Sequence, residues 1–163
     1  MEIRGGQDII KGPFLSCAFF CEKVLQEKDG ILSVVRIIDR LGVNVARPNL
    51  PSLPPGAPAP SLPEKLSSFL LSLTMLIAFK SGDVRGSYPI RITMLDPLQR
   101  EASIAKQNAL FEGEDRGVNL IVNIGVVIQQ DGLYWFNIFF NEEATPRTRV
   151  PLRVIYQGAA QTS

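Results

Sequence analysis

Hydrophobic and polar residues alternate along most of the chain with a period of two. The alternation is clearest at 69–79, 88–94, 120–128 and 134–140, where every second residue is aliphatic or aromatic. This period is typical of β-strands that bury one face, and residues favoured in turns separate the segments. No helical stripe longer than three turns is evident, although 16–27 is also compatible with a helix.

The N-terminal region predicts a long β-hairpin. Two apolar runs within 14–40 flank a charged tetrapeptide at 27–30. In such a turn, Gly30 accepts a positive φ and Asp29 caps the backbone. The tetrapeptide is therefore explained by turn chemistry without any function.

The strand pattern predicts a single all-β domain over 1–163. An extended run at 102–111 and a short segment at 152–156 bring the predicted strands to about eight. Such a series predicts an antiparallel β-sandwich, with a barrel as the alternative. Seven prolines at 47–63 predict an exposed connector between the second and third predicted strands, either a semi-rigid crossover or a ligand for a partner domain. We expect 158–163 to be a flexible tail.

Composition and charge exclude several classes of function. The formal net charge is +1, from 17 basic and 16 acidic residues, without the dense basic stripe of a nucleic-acid-binding protein. The chain has no histidine, which removes the commonest general base and transition-metal ligand. It also has no glycine-rich phosphate loop. We therefore expect a protein that is not an enzyme, uses no cofactor and binds no nucleic acid.

The only cysteines, Cys17 and Cys21, do not suffice for a zinc site of four Cys or His ligands. On a strand they share a face about 13 Å apart, too far for a disulfide, whereas on a helix they would be neighbours. We expect reduced, buried thiols. The N-terminus lacks the apolar core of a signal peptide, and the longest apolar stretch is far shorter than the ~20 residues that span a membrane. These features predict a cytoplasmic protein without a transmembrane segment.

Acidic residues concentrate in the predicted loops. If every strand runs antiparallel to its predecessor, one end of the sandwich collects 27–30, 81–85, 112–117 and 142–149. These loops carry eight carboxylates: Glu27, Asp29, Asp83, Glu112, Glu114, Asp115, Glu142 and Glu143. Calcium prefers six to eight oxygen ligands, which makes Asp29, Asp83 and Asp115 candidate metal ligands. Salt-bridged loops are the alternative, because arginines occupy the same loops. The acidic end also suggests a lipid-surface module or a carboxylate-based hydrolase.

The strand at 133–141 is apolar on both faces. Leu133, Trp135 and Phe139 lie opposite the main hydrophobic face, with Asn137 between them. An outer face of a two-layer sandwich is usually polar, so something is expected to cover these residues. The cover is the proline-rich connector, a short helix or another chain, for which a homodimer is the economical form. The sequence therefore predicts a protein–protein interaction or assembly module.

Three motifs resemble a family of small bacterial proteins of unknown function. The first is the opening hairpin, with CEKVLQEKDG at 21–30 and SVVRIIDR at 33–40. The second is Gly-x-Tyr-x-Phe from Gly132, and the third is Pro-Leu-x-Val from Pro151. The resemblance spans most of the chain and implies a β-sandwich fold, but it implies no mechanism.

Overall fold

All regular structure in the described residues is β-strand. The computed structural model describes residues 11–45, 55–56 and 68–158. Its strands are β1 (Phe14–Gln26), β2 (Leu32–Ile38), β3 (Arg40–Val45), β4 (Phe69–Leu95), β5 (Glu101–Ile128), β6 (Gly132–Phe140) and β7 (Thr148–Gly158). They form one sheet in the order β2-β1-β4-β6-β7-β3, and β5 pairs with β4 outside this path. The all-β prediction is confirmed. The predicted connector at 47–63, except Pro55 and Gly56, and the predicted tail after Gly158 lie outside the described residues.

The long strands β4 and β5 are continuous through both layers of the fold. They pair from Phe69 and Ile128 to Leu95 and Glu101, with register shifts around Gly82. The first half of β4 pairs with β1, and the second half pairs with β6. We call β2, β1, 69–80 and 117–128 the first layer. The second layer contains 101–112, 86–95, β6, β7 and β3.

Glycines allow the two long strands to change direction between the layers. Gly82 has φ +59° and Gly113 has φ +87°, values that L-residues with a side chain rarely adopt. A Cβ on Gly82 would lie 3.0 Å from the carbonyl oxygen of Lys11, so the backbone passes too close for a larger residue. The bend therefore depends on backbone conformations that favour glycine.

The inner faces of the two layers enclose one aromatic and aliphatic core. Phe20 of the first layer and Phe136 of the second meet edge to face, with ring centroids 4.7 Å apart. At the end where β4 begins, Phe69 makes a similar contact with Tyr156. The alternating residues of β5 from Leu120 to Ile128 are buried in this core, as the period of two predicts.

The strand count and pairing differ from the sequence prediction in three ways. The predicted strands at 69–79 and 88–94 belong to β4, and those at 102–111 and 120–128 belong to β5. The structure adds β3, which follows β2 after Asp39 alone. β3 pairs with β7 in parallel, so the sheet is mixed and not wholly antiparallel. β2 and β3 lie at opposite ends of the strand order, β2 in the first layer and β3 in the second. The chain therefore passes from one layer to the other at Asp39, and the two strands do not form a hairpin.

The predicted hairpin is confirmed, but its turn at 27–30 lies at the end of the fold opposite the bend at 81–85. The amide of Ile31 donates to a carboxylate oxygen of Asp29 at 3.1 Å, and Gly30 has φ +82°. β1 runs antiparallel to β4, with Phe14 opposite Lys80, so its last residues approach the beginning of β4. The turn at 27–30 is therefore remote from 81–85. The sequence-based placement of these two loops at one end was wrong.

Candidate functional site

The predicted cation ligands do not form a cluster. Asp83 and Asp115 lie in the bend of β4 and β5, where Gly82 pairs with Glu114, but Asp29 lies at the opposite end. Within 11–45, 55–56 and 68–158, no group of three Cys, Asp or Glu residues could hold a metal ion. The prediction that Asp29 joins the other two carboxylates was therefore wrong.

Ion pairs instead connect the charged side chains of the bend. Arg85 contacts Glu114 at 3.2 Å, and Arg116 contacts Glu112 at 3.5 Å. These four residues line an open cleft of about 480 Å³ together with Leu110 and Phe111. Because acidic and basic groups alternate around the cleft and are largely exposed, their charges offset one another. Ion pairs thus account for Glu112 and Glu114 at the bend, whereas Asp83 and Asp115 form no ion pair with another described residue.

The loop between β6 and β7 is held by two arginines. The Arg147 guanidinium contacts the Glu143 carboxylate through both of its oxygens, at 2.6 and 2.7 Å. The Arg91 guanidinium donates to the carbonyl oxygens of Asn141 and Glu143. These contacts make the loop part of the sandwich rather than a free acidic tip.

The predicted interaction residues lie on the outer face of the second layer. The pairing of β6 with β4 and β7 places Leu133, Trp135, Asn137 and Phe139 on one face. Phe139 is only 8% exposed, and the Arg91 guanidinium carbon lies 4.8 Å from its ring centroid. Leu133 and Trp135 are half-buried. Part of the cover thus comes from a neighbouring strand, and the interaction role of the three residues stays a prediction.

A chain of polar contacts crosses the same face from β7 to β5. Arg149 donates to the Asn137 side-chain oxygen at 2.8 Å, and the Asn137 amide donates to the Thr93 hydroxyl at 3.3 Å. Thr93 donates in turn to Glu101 at 2.8 Å. Asn137 is 3% exposed, so its hydrogen bonds offset the cost of burying a polar group. The network fixes Arg149 against the sheet.

The outer face of the second layer is positively charged. Arg91 lies opposite Lys106, and Arg40 lies opposite Arg153 in the parallel pair of β3 and β7. With Arg149 they make five cations, none of which forms an ion pair with another described residue. Like charges directly opposite each other are unfavourable. The charge of this face arises from register and was not evident in the composition.

The outer face of the first layer has the opposite character. It exposes six large apolar side chains: Leu25, Val35, Ile37, Leu70, Ile121 and Val127. Leu70 is 72% exposed and lies directly opposite Val127, which is 54% exposed. The sequence pattern indicated apolar residues at Ile121 and Val127, but pairing was needed to bring all six together. This face is the principal candidate site.

Both cysteines lie on this apolar face and are free. Cys21 is fully buried, whereas Cys17 is half-buried. Burial raises the pKa of the Cys21 thiol, and a backbone hydrogen bond at Lys23 opposes this only in part. The thiol therefore stays protonated at neutral pH, and the thiolate that a nucleophile requires is scarce. The predicted burial is confirmed for Cys21, which is structural, whereas Cys17 is only half-buried.

A buried carboxylate at the turn between β4 and β5 is also structural. Asp96 accepts hydrogen bonds from the amides of Leu98 and Arg100, both at 2.9 Å, and from the Arg100 guanidinium at 2.6 Å. Burial opposes its ionisation, but these hydrogen bonds and the Arg100 charge hold the pKa of Asp96 below its ordinary value. The carboxylate closes the turn, and its hydrogen bonds commit both of its oxygens to this structural role.

Comparison with known proteins adds no functional information. No protein-family model matches the sequence, and no curated protein matches it. The resemblance to the uncharacterised bacterial family therefore stays a prediction. No helix of the described structure has the length and apolar character required to cross a membrane.

Proposed function

We propose that the protein is a non-enzymatic assembly module that associates with a second copy of itself through its first layer. The observation that carries this proposal is the uncharged β4–β5 side of that layer, where Leu70, Ile121 and Val127 are exposed beside the edge of the sheet. Four strands about 4.8 Å apart and roughly eight paired residues long give a face of about 500 Å². Exposed apolar side chains that cluster on such a face commonly mark an interaction site.

The distribution of charge supports the first layer as the contact surface. Two copies that met through their second layers would bring together ten cations, five from each, which the Glu101 carboxylate of each copy offsets only in part, at a cost in free energy. The outer face of the first layer carries Lys23 near β2 and Lys80 at the bend, with uncharged residues between them on β4 and β5. Self-association through this layer therefore avoids repulsion between like charges.

The chemistry of the described side chains supports a non-enzymatic role. The arginines and glutamates of the bend are paired with each other. The Asp96 carboxylate is committed to its own turn. The chain also lacks histidine, the commonest general base in enzymes.

Sedimentation analysis across a wide range of protein concentrations tests the proposal. We expect the natural chain to form a dimer and Ile121→Lys/Gly125→Lys to dimerise only at higher protein concentration, because the lysines add charge to the first layer. Leu110→Lys is the control, since with Lys106 it creates the same four-residue spacing of lysines on the second layer. A monomer at every concentration, or equal weakening by both variants, would contradict the proposal.

A further inference from the structure

β5 is an edge strand along its whole length. It pairs only with β4 among the described strands, so alternate backbone N–H and C=O groups along 28 residues have no strand partner on the other side. Unpaired strand edges are templates for pairing with another chain. Natural proteins therefore shorten such edges, charge them or distort them. The four edges of the two layers differ in this respect.

Three edges have protective features. β2 contains Arg36, which has φ +49° and pairs with Glu22 across the hairpin. β3 is only six residues long. The segment 101–112 of β5 carries two glutamates and a lysine. Each of these features opposes the addition of another strand.

The fourth edge, 117–128 of β5, has none of these features. Its sequence, GVNLIVNIGVVI, contains no charged residue and no proline over twelve positions. Its residues pair with β4 without a register shift from Gly117 to Ile128. Valine and isoleucine, which favour strands, occupy seven of the twelve positions. We call 117–128 the uncharged edge.

We propose that the uncharged edge pairs antiparallel with the same segment of a second copy, around a twofold axis. The first layers of the two copies then form one continuous eight-stranded sheet. This inference rests on the proposed self-assembly and specifies its geometry as edge to edge. Face-to-face stacking of the two outer faces is the competing arrangement.

The segment is suited to pairing with itself. In a register centred on Asn123, Val122 lies opposite Ile124 of the second copy, and Leu120 lies opposite Val126. Both pairs join inner-face residues, so the two cores continue into each other. Cross-strand pairs of this kind stabilise a sheet. Because the axis is twofold, both edges are satisfied at once and the contact closes at two copies.

The outer face beside this edge is compatible with the arrangement. Ile121 and Val127 are on β5 itself, and Gly125 between them leaves open space except for Leu70 at 4.0 Å. In the proposed register Ile121 of one copy lies opposite Gly125 of the other, which has no side chain to displace. Ile37 lies on β2, at the far side of the same layer, and stays outside an edge-to-edge contact.

Two lysine variants distinguish the two arrangements. Ile121→Lys/Gly125→Lys puts lysines directly opposite each other in the proposed register and is expected to raise the dimer Kd about thirtyfold. Ile37→Lys, at a 66% exposed position on the apolar face, should leave the Kd unchanged. If Ile37→Lys weakens the dimer as much as the β5 variant, the copies stack through their faces. The edge inference then fails while the assembly proposal stands; a natural chain that is always monomeric refutes both.

A cysteine scan tests the register without relying on destabilising changes. In a Cys17→Ser/Cys21→Ala background, single cysteines replace Asn119, Ile121, Asn123 or Gly125 in turn. Residues on a twofold axis of antiparallel strands lie close enough for a disulfide, whereas residues two positions away do not. We expect one position to form a disulfide-linked dimer much faster than its neighbours, and Asn108→Cys to serve as the unreactive control. Equal slow cross-linking at all positions would overturn the inference.

Hydrogen exchange supplies an independent readout of the same contact. Edge pairing protects the amides of 117–128 that do not bond to β4, and dilution to the monomer should release that protection. Face-to-face stacking leaves those amides without a strand partner, so their exchange would not depend on concentration. Concentration-independent exchange in a chain that dimerises would exclude edge pairing.

Discussion

The packing of the two layers is tested by a double-mutant cycle between Phe20 and Phe136. Both rings are fully buried and meet edge to face at 4.7 Å, although they belong to different layers. Replacing either with leucine removes atoms from a closely packed site and is expected to cost about 1–2 kcal/mol. Since an edge-to-face aromatic pair contributes about 0.5–1.5 kcal/mol beyond its buried area, the double variant should cost less than the sum by that amount.

Urea unfolding at equilibrium measures the four free energies of the cycle. The Ile121→Lys/Gly125→Lys background, used at low protein concentration, minimises any contribution of dimer dissociation to the unfolding transition. Phe20→Leu combined with Phe111→Leu is the control, because the Phe111 ring contacts Phe79, Tyr88 and Phe140 instead. A coupling below about 0.3 kcal/mol between Phe20 and Phe136 would show that the layers do not pack as described.

Three further predictions concern stability and reactivity. Asp96→Ala should cost about 1–3 kcal/mol at neutral pH. Because the folded-state pKa of Asp96 lies below its unfolded value, the stability lost in Asp96→Ala should shrink as pH falls below about 4. Urea unfolding of both chains at several pH values measures this loss, and a loss that does not change with pH would contradict the prediction. Cys17 should react with a thiol reagent well before Cys21, as mass spectrometry of the labelled chain would show, and equal rates would contradict the burial of Cys21. Gly113→Ala should cost about 1–2 kcal/mol in urea unfolding because Gly113 has φ +87°, whereas Gly125→Ala has no such penalty; equal effects would contradict the bend.

Local patterning predicted the strands but not where they continue into one another. The period of two identified the segments at 69–79 and 88–94, and the polar, glycine-containing residues between them suggested a loop. In the structure those residues belong to β4, because Gly82 and Gly86 adopt positive φ and let one strand turn through both layers. A short polar segment with glycine is compatible with either outcome. Pairing partners distant in sequence decide between them.

The candidate site was less predictable than the strands. Leu133, Trp135 and Phe139 were evident because they lie within seven residues of one another on a single strand. The apolar face of the first layer is assembled from four strands, and Ile37 reaches it only through the pairing of β2 with β1. The prediction that Asp29 lies at the same end as Asp83 was wrong for the same reason, because it also depended on strand pairing that the sequence does not reveal. Assigning loops to ends requires the strand order, and β1 pairs with β4 rather than standing in a simple succession of hairpins.

Edge pairing is favoured over face stacking because the outer face of the first layer is not uniformly apolar. Ser72, Thr74 and Asn123 lie among its aliphatic side chains, and stacking would remove them from water. The Thr74 hydroxyl donates to Asn123 at 3.2 Å, which leaves the remaining donors and acceptors of both side chains without partners in a dry contact. Edge pairing carries no such penalty, because the backbone N–H and C=O groups of 117–128 in one copy hydrogen-bond to those of the other. Each such hydrogen bond contributes a net stabilisation of about 0.5–1.5 kcal/mol. Edge pairing therefore keeps Ser72 and Thr74 in water while it still brings the exposed Ile121 side chain of β5 into the contact.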